Sequence, residues 1–122
     1  MPRATVDENA TERYELETLP EGYVVLKKMT FGERARVREM TLQASMSARG
    51  SDDSLKMMVS QVDVDEYEFS HSIVEHNLED ANGNLLQFTR KGSVASLDPA
   101  VGAEISKLID EMNSPKIDPK VS

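Results

Sequence analysis

Two histidine–carboxylate pairs are the first places to look for chemistry in this sequence. His71 and Glu75 stand four residues apart, and so do His76 and Asp80. On a helix that spacing sets an imidazole beside a carboxylate, which can relay a proton or ligate a metal. Each pair offers only two ligands, however, and the helical two-histidine metal motifs need histidines four apart, whereas these are five apart. Both pairs read as partly exposed polar positions beside a core stripe. Asp52, Asp53, Asp63 and Asp65 do not space as a calcium loop, because the closing glutamate is missing. Asp80-Ala81-Asn82-Gly83-Asn84 has a calcium-loop look, but Asn-Gly supplies the positive φ angles of a tight hairpin turn and explains the run better. The glycines are scattered, so no phosphate loop forms, and no nucleophile elbow surrounds a serine. Cysteine is absent, which excludes a disulfide framework, a thiolate zinc site and a cysteine nucleophile. No catalytic, cofactor or metal site is expected, and the chain reads as a non-enzyme.

Composition narrows the remaining classes. The 122 residues are one domain's worth of chain. The net charge of −8 argues against a general nucleic-acid binder, since neutralising phosphates drives that binding. No apolar run approaches the ~20 residues of a membrane span, and the polar start does not resemble a signal peptide. The charge is segregated. Residues 23–49 hold six basic and two acidic residues, whereas residues 50–89 hold nine acidic residues and one lysine. Opposite fields of this kind steer a segment or a partner into place.

Positioning follows from local signals. Tyr14 and Leu16 alternate with charged residues, Tyr23-Val24-Val25-Leu26 is β-branched, and Leu19-Pro20-Glu21-Gly22 lies between them. This predicts a hairpin over about 12–18 and 23–29. Thr30 and Glu33 form a capping box that starts a helix running to about residue 48, with Gly50 as its left-handed cap. Ser51, Asp52 or Asp53 can cap a second helix over 52–62. Asp63-Val64-Asp65 is expected to interrupt it and open a third over 66–76, although Tyr67, Phe69, His71 and Ile73 also alternate as a strand would. Asp98-Pro99 opens a final helix over 98–113, whose Val101, Ile105, Leu108, Ile109 and Met112 make the clearest apolar stripe in the chain. That stripe is expected to bury against the first helix. The predicted class is α+β, mostly α-helical: an N-terminal hairpin packed on about four helices, with a second short hairpin near 77–88 as an option. Residues 1–11 and 114–122 read as loose tails around one domain, 12–113.

The first helix carries two apolar stripes. Val37, Met40, Thr41, Ala44 and Ala48 make one, and Phe31, Ala35, Leu42 and Met46 the other. A small domain buries about one of them, so the second is expected to face a partner. The expected partner-binding residues are Phe31, Arg34, Arg38, Leu42, Met46, Met57 and Met58: thioethers suit an adaptable surface, and the arginines would rim it.

Three features arrive in a particular order. A hairpin leads into Leu26-Lys27-Lys28-Met29-Thr30-Phe31-Gly32-Glu33 and an arginine-containing helix. The run from Ile73 to Phe88, with Asn77-Leu78-Glu79-Asp80-Ala81-Asn82-Gly83 within it, follows. Leu97-Asp98-Pro99-Ala100-Val101-Gly102 then opens a terminal helix ending at Met112-Asn113. In this order, over roughly 12–113, the chain resembles the tail assembly chaperones of long-tailed bacteriophages. At the place before the Asn-Leu pair, where that family usually has tryptophan, this chain has His76. The resemblance implies a non-enzymatic protein of the host cytoplasm that binds and solubilises the tape measure protein and helps recruit tail tube subunits. It implies no cofactor, no nucleic acid and no membrane, and leaves room for a homo-oligomer. The competing readings are an acidic DNA mimic that inhibits a nucleic-acid-binding enzyme, motivated by residues 50–89, and a structural head–tail joining protein of the virion.

Overall fold

A computed structural model describes residues 4–7, 9–48 and 54–114, with the side chains of 44, 47, 48 and 54–60 set aside. The expected left-handed cap at Gly50, the caps at 51–53 and the tail beyond 114 lie outside the described residues. Six elements follow one another: β1 (Thr11–Glu15), β2 (Tyr23–Lys27), α1 (Phe31–Ala48), α2 (Ser54–Ser72), β3 (Ile73–His76) and α3 (Pro99–Asn113). The class is α+β, with a three-stranded antiparallel sheet in the order β1-β2-β3. Among the described residues there are three helices rather than about four, and helices make up less than half of those residues, so the fold is not mostly helical. None of them is long and apolar enough to cross a membrane.

The hairpin forms because its turn chemistry is specific. Thr11 pairs with Lys27 and Glu15 with Tyr23. Between the strands the Gly22 amide donates to the Leu19 carbonyl at 2.9 Å, with Pro20 second and Glu21 third at φ +68°. Pro20 pre-sets the turn, and Glu21 takes the left-handed conformation that a type II turn asks of its third residue. A Cβ on Gly22 would lie 2.9 Å from Leu19 Cδ2 and 3.1 Å from the Leu19 carbonyl oxygen, so a side chain there would have to displace the Leu19 side chain and press on the turn carbonyl. Two distant side chains clamp the hairpin. Asn77 accepts the Tyr23 amide at 2.9 Å and donates to the Glu21 carbonyl at 2.8 Å. Glu104 of α3 accepts the Glu17 and Thr18 amides and the Thr18 hydroxyl at 2.8, 2.9 and 2.6 Å.

The expected break at Asp63-Val64-Asp65 does not occur. Val64 is buried in the core, so the helical face is satisfied through the acidic run and α2 continues to Ser72. The helix expected to reach His76 stops four residues short, and the chain passes directly into β3. Val25 pairs with Glu75 but Leu26 with Ile73, so Val74 is the extra residue of a bulge. Tyr67, Phe69 and His71 are helical and only Ile73 onward is strand, which is why neither period fitted the whole segment. The expected hairpin near 77–88 reduces to a turn closed by one bridge, Glu79 to Leu85. Among the described non-glycine residues only Glu21 has positive φ, so Asn82 does not adopt the expected mirror-image turn; Gly83 alone does, at +82°. Asp80 instead caps the turn by accepting the Asn82 and Asn84 amides at 2.8 and 3.0 Å.

The core lies between the sheet and the helices. Val24 and Leu26 of β2 and Ile105 and Ile109 of α3 are sealed from solvent, with Phe69 of α2 packed edge-on to Phe88 at 5.8 Å. Asp98 caps α3 as expected, accepting the Ala100 amide at 2.9 Å with Pro99 at the first helical position. Its stripe does not bury against α1, however. α3 lies on α2 and β2, and α1 packs along α2.

Candidate interaction surface

α1 begins where the sequence places it. The Thr30 hydroxyl accepts the Glu33 amide at 3.1 Å and Glu33 accepts the Thr30 amide at 2.8 Å, the reciprocal bonds of a capping box. One of its two apolar faces turns inward: Val37 is buried, Met40 packs against the core, and the Thr41 hydroxyl bonds back to the Val37 carbonyl. The other turns outward. Phe31 is 83% exposed, Leu42 60% and Met46 62%. With apolar residues on opposite faces, neighbours can cover only one side of this helix.

The expected partner-binding residues thus sort into two groups. Phe31, Arg38, Leu42 and Met46 come together on the outer face of α1, the Arg38 guanidinium standing over the Phe31 ring at 5.8 Å. Arg34 flanks them and is half-buried, close enough to Glu68 of α2 to favour its charged form. Met57 and Met58 fall within α2, but their side chains lie outside the described residues. Nothing here places them with the α1 stripe.

At its N-terminal end the stripe opens into a groove of about 1320 Å³ between residues 4–7, β1, the start of α1 and the end of α3. Phe31, Arg34 and Arg38 form one wall, and Glu12, Tyr14 and Glu111 stand among the residues of the others. The Tyr14 hydroxyl donates to Glu12, and that bond first, then burial, pushes the phenol up to about 12. Asn113 at the end of α3 accepts the Met29 amide at 2.8 Å and fixes the approach to α1. Phe31, Arg34 and Arg38 were expected at a binding surface, whereas Glu12, Tyr14 and Glu111 were not singled out as site residues in the sequence. Alternation put Tyr14 on one strand face with Leu16, but nothing local announced the end of α3 beside it.

Neither histidine–carboxylate pair forms. His71 stacks on Tyr67 with ring centroids 4.1 Å apart and lies 3.7 Å from Glu33 of α1, while Glu75 is on β3. His76 is in β3, accepts the Leu78 amide on Nδ1 at 3.0 Å and meets the Phe88 ring edge-on at 4.8 Å. Burial holds its pKa below the ordinary value. Its imidazole thereby serves as an aromatic packing group. Among the described residues no three His, Asp or Glu side chains gather closely enough to hold a metal ion. The chemistry on offer is that of an outward apolar stripe edged with arginine. No family model, no curated protein and no solved structure matches the chain.

Proposed function

We propose that this chain is a non-enzymatic tail assembly chaperone of a long-tailed bacteriophage. It works in the host cytoplasm, where it binds and solubilises the tape measure protein and helps recruit tail tube subunits. The observation that carries the reading is the outward stripe of α1, where Phe31, Leu42 and Met46 stand exposed along one helix face of an acidic protein, whereas the other exposed large apolar residues, Leu19, Val74 and Leu85, lie on separate segments. Large apolar patches on a small domain mark interaction surfaces, and the net negative charge keeps the uncovered protein dispersed.

Magnitudes favour coating over tight one-to-one binding. Burying three such side chains contributes roughly 5–9 kcal/mol, at about 1.5–3 kcal/mol for full burial of each. Association costs about 4–15 kcal/mol. A single contact is therefore weak, and coating one long partner calls for a high concentration of this chain or for contacts between neighbouring bound copies.

The test is co-expression with the tape measure protein, expected from a long coiled-coil reading frame immediately downstream. Leu42→Asp and Met46→Asp variants that keep the wild-type circular dichroism spectrum are expected to leave that protein insoluble. If both solubilise it as well as the wild type, the surface is assigned wrongly.

A further inference from the structure

We infer that the outer seam of α1 docks an amphipathic α-helix carrying a carboxylate opposite Arg38. This rests on the binding role proposed above and names the chemistry of the segment bound. The seam is Phe31, Ala35, Arg38, Leu42 and Met46, with successive steps of four, three, four and four residues. At 3.6 residues per turn these positions stay within an arc of roughly 80° over about four turns, a strip about 22 Å long. From Phe31 to Leu42 the steps alternate four and three, the spacing that receives the knobs of a second helix, and Met46 extends the strip one residue off that repeat.

The occupant's secondary structure follows from hydrogen bonding. The middle of a helix face offers side chains but no free backbone donors or acceptors. An extended peptide laid along it would bury its own amides without partners, whereas a helix satisfies them internally. A helix is the segment that can cover this face without that cost.

Charge selects which helix. On one flank Arg36 is paired with Glu39 at 3.1 Å, so their charges offset. Arg38 sits within the seam, and among the described residues no carboxylate lies within ion-pair distance of it. Arg34, half-buried on the other flank and close to Glu68, adds a second, partly offset positive charge. A helix closing over the seam buries the Arg38 guanidinium, which is costly unless a carboxylate meets it. A charged residue inside such a seam sets register and partner choice more than raw affinity. A second copy of this chain docking by the same stripe would bring two sets of Arg34 and Arg38 into one interface, with no acid on either stripe. The complementary partner is therefore another chain, apolar along one face and acidic at its middle.

Two synthetic helices of about 21 residues, three heptads, test this. Both carry leucine at the seam positions and one tryptophan, and they differ only in Glu or Lys at the central seam position. The full chain contains no tryptophan, so peptide fluorescence reports binding directly. The Glu peptide is expected to bind at least about tenfold more tightly than the Lys peptide. Arg38→Glu is expected to reverse the preference, Arg38→Gln to abolish it, and Leu42→Asp to weaken both peptides. Equal binding of the two peptides, or a preference unchanged in both Arg38 variants, overturns the inference. So does a chain that ignores both peptides while Leu42→Asp dissociates a self-assembled species in sedimentation, which assigns the seam to a second copy. Failure of the broader reading looks different. A chain that discriminates the peptides but leaves the tape measure protein insoluble keeps the helix-docking seam and loses the chaperone role; one that solubilises it without discriminating does the reverse.

Discussion

Replacing Glu68 with glutamine should stabilise the protein, and by an amount that depends on pH in a defined direction. Glu68 is only 8% exposed, in α2. Burial first, then the negative charges of Asp110 on α3 and Asp65 on α2, push its pKa from 4.5 up to about 7, while Arg34 on α1 pulls the other way. The folded protein thus binds this proton more tightly than the unfolded chain does. The stabilising share of that proton is fully present below about pH 4.5 and is lost as pH rises through about 7. At about 1.4 kcal/mol per pH decade, the whole displacement is worth about 3 kcal/mol. Glu68→Gln keeps the shape and removes the charge, so it should gain up to about 3 kcal/mol at alkaline pH and almost nothing near pH 4. Urea unfolding followed by circular dichroism, run on both proteins from acid to alkaline pH, measures the difference directly. His76, whose pKa burial lowers, destabilises both proteins alike in acid and cancels in that difference. Asp65 is also raised, by burial first, which broadens the profile without changing its sign. A Gln-minus-Glu stability difference that stays flat across the range refutes the argument, because a shape effect alone has no reason to titrate.

Two further predictions concern the hairpin and the terminal helix. Glu21→Gly should raise stability by about 0.5–1 kcal/mol in thermal melts, since the left-handed φ of +68° strains an L-residue by about 1–2 kcal/mol and glycine's greater unfolded-state freedom offsets part of the relief; a lower melting temperature would show the turn to be unstrained. Ile105→Ala should cost about 3 kcal/mol because Ile105 is sealed in the core, and Leu108→Ala about half that because Leu108 is half-buried; denaturant titration in which Leu108→Ala costs more than Ile105→Ala would invert the burial argument.

What was legible in the sequence was local. The capping box at Thr30, the Asp98-Pro99 start and the Pro20–Gly22 turn each lie within a few residues, the stripe of α3 repeats within one helix, and each forms where the residues place it. What was not legible depends on distant partners. Asp63-Val64-Asp65 looks like a break until Val64 is seen to belong to the core. Ser72 ends a helix and Ile73 begins a strand with no turn residue between them, because β2 supplies the pairing that local propensity does not. The buried Glu68 and the clamp from Glu104 to Thr18, 86 residues away, leave no trace in any window. For the surface, the two stripes of α1 were visible but their orientation was not. Which one faces out is set by where α2 and the sheet lie.

That orientation bears on how the surface can be tested. The buried core is carried mainly by β2, α3, the middle of α2 and the 78–88 segment, with Val37 as the buried contribution of α1. Phe31, Leu42 and Met46 share none of it. A substitution at Leu42 or Met46 therefore removes no core contact, and exposed helix positions of this kind usually change stability by less than about 0.5 kcal/mol. Aspartate lowers helix propensity by a similar small amount. A partner that buries the same side chain loses far more, since full burial of a leucine or methionine is worth about 1.5–3 kcal/mol and an unpaired carboxylate in its place adds a desolvation cost. The two effects thus separate by several-fold in energy. A Leu42→Asp protein that melts like the wild type yet no longer holds its partner assigns the outer face of α1 to binding, because folding makes no use of it.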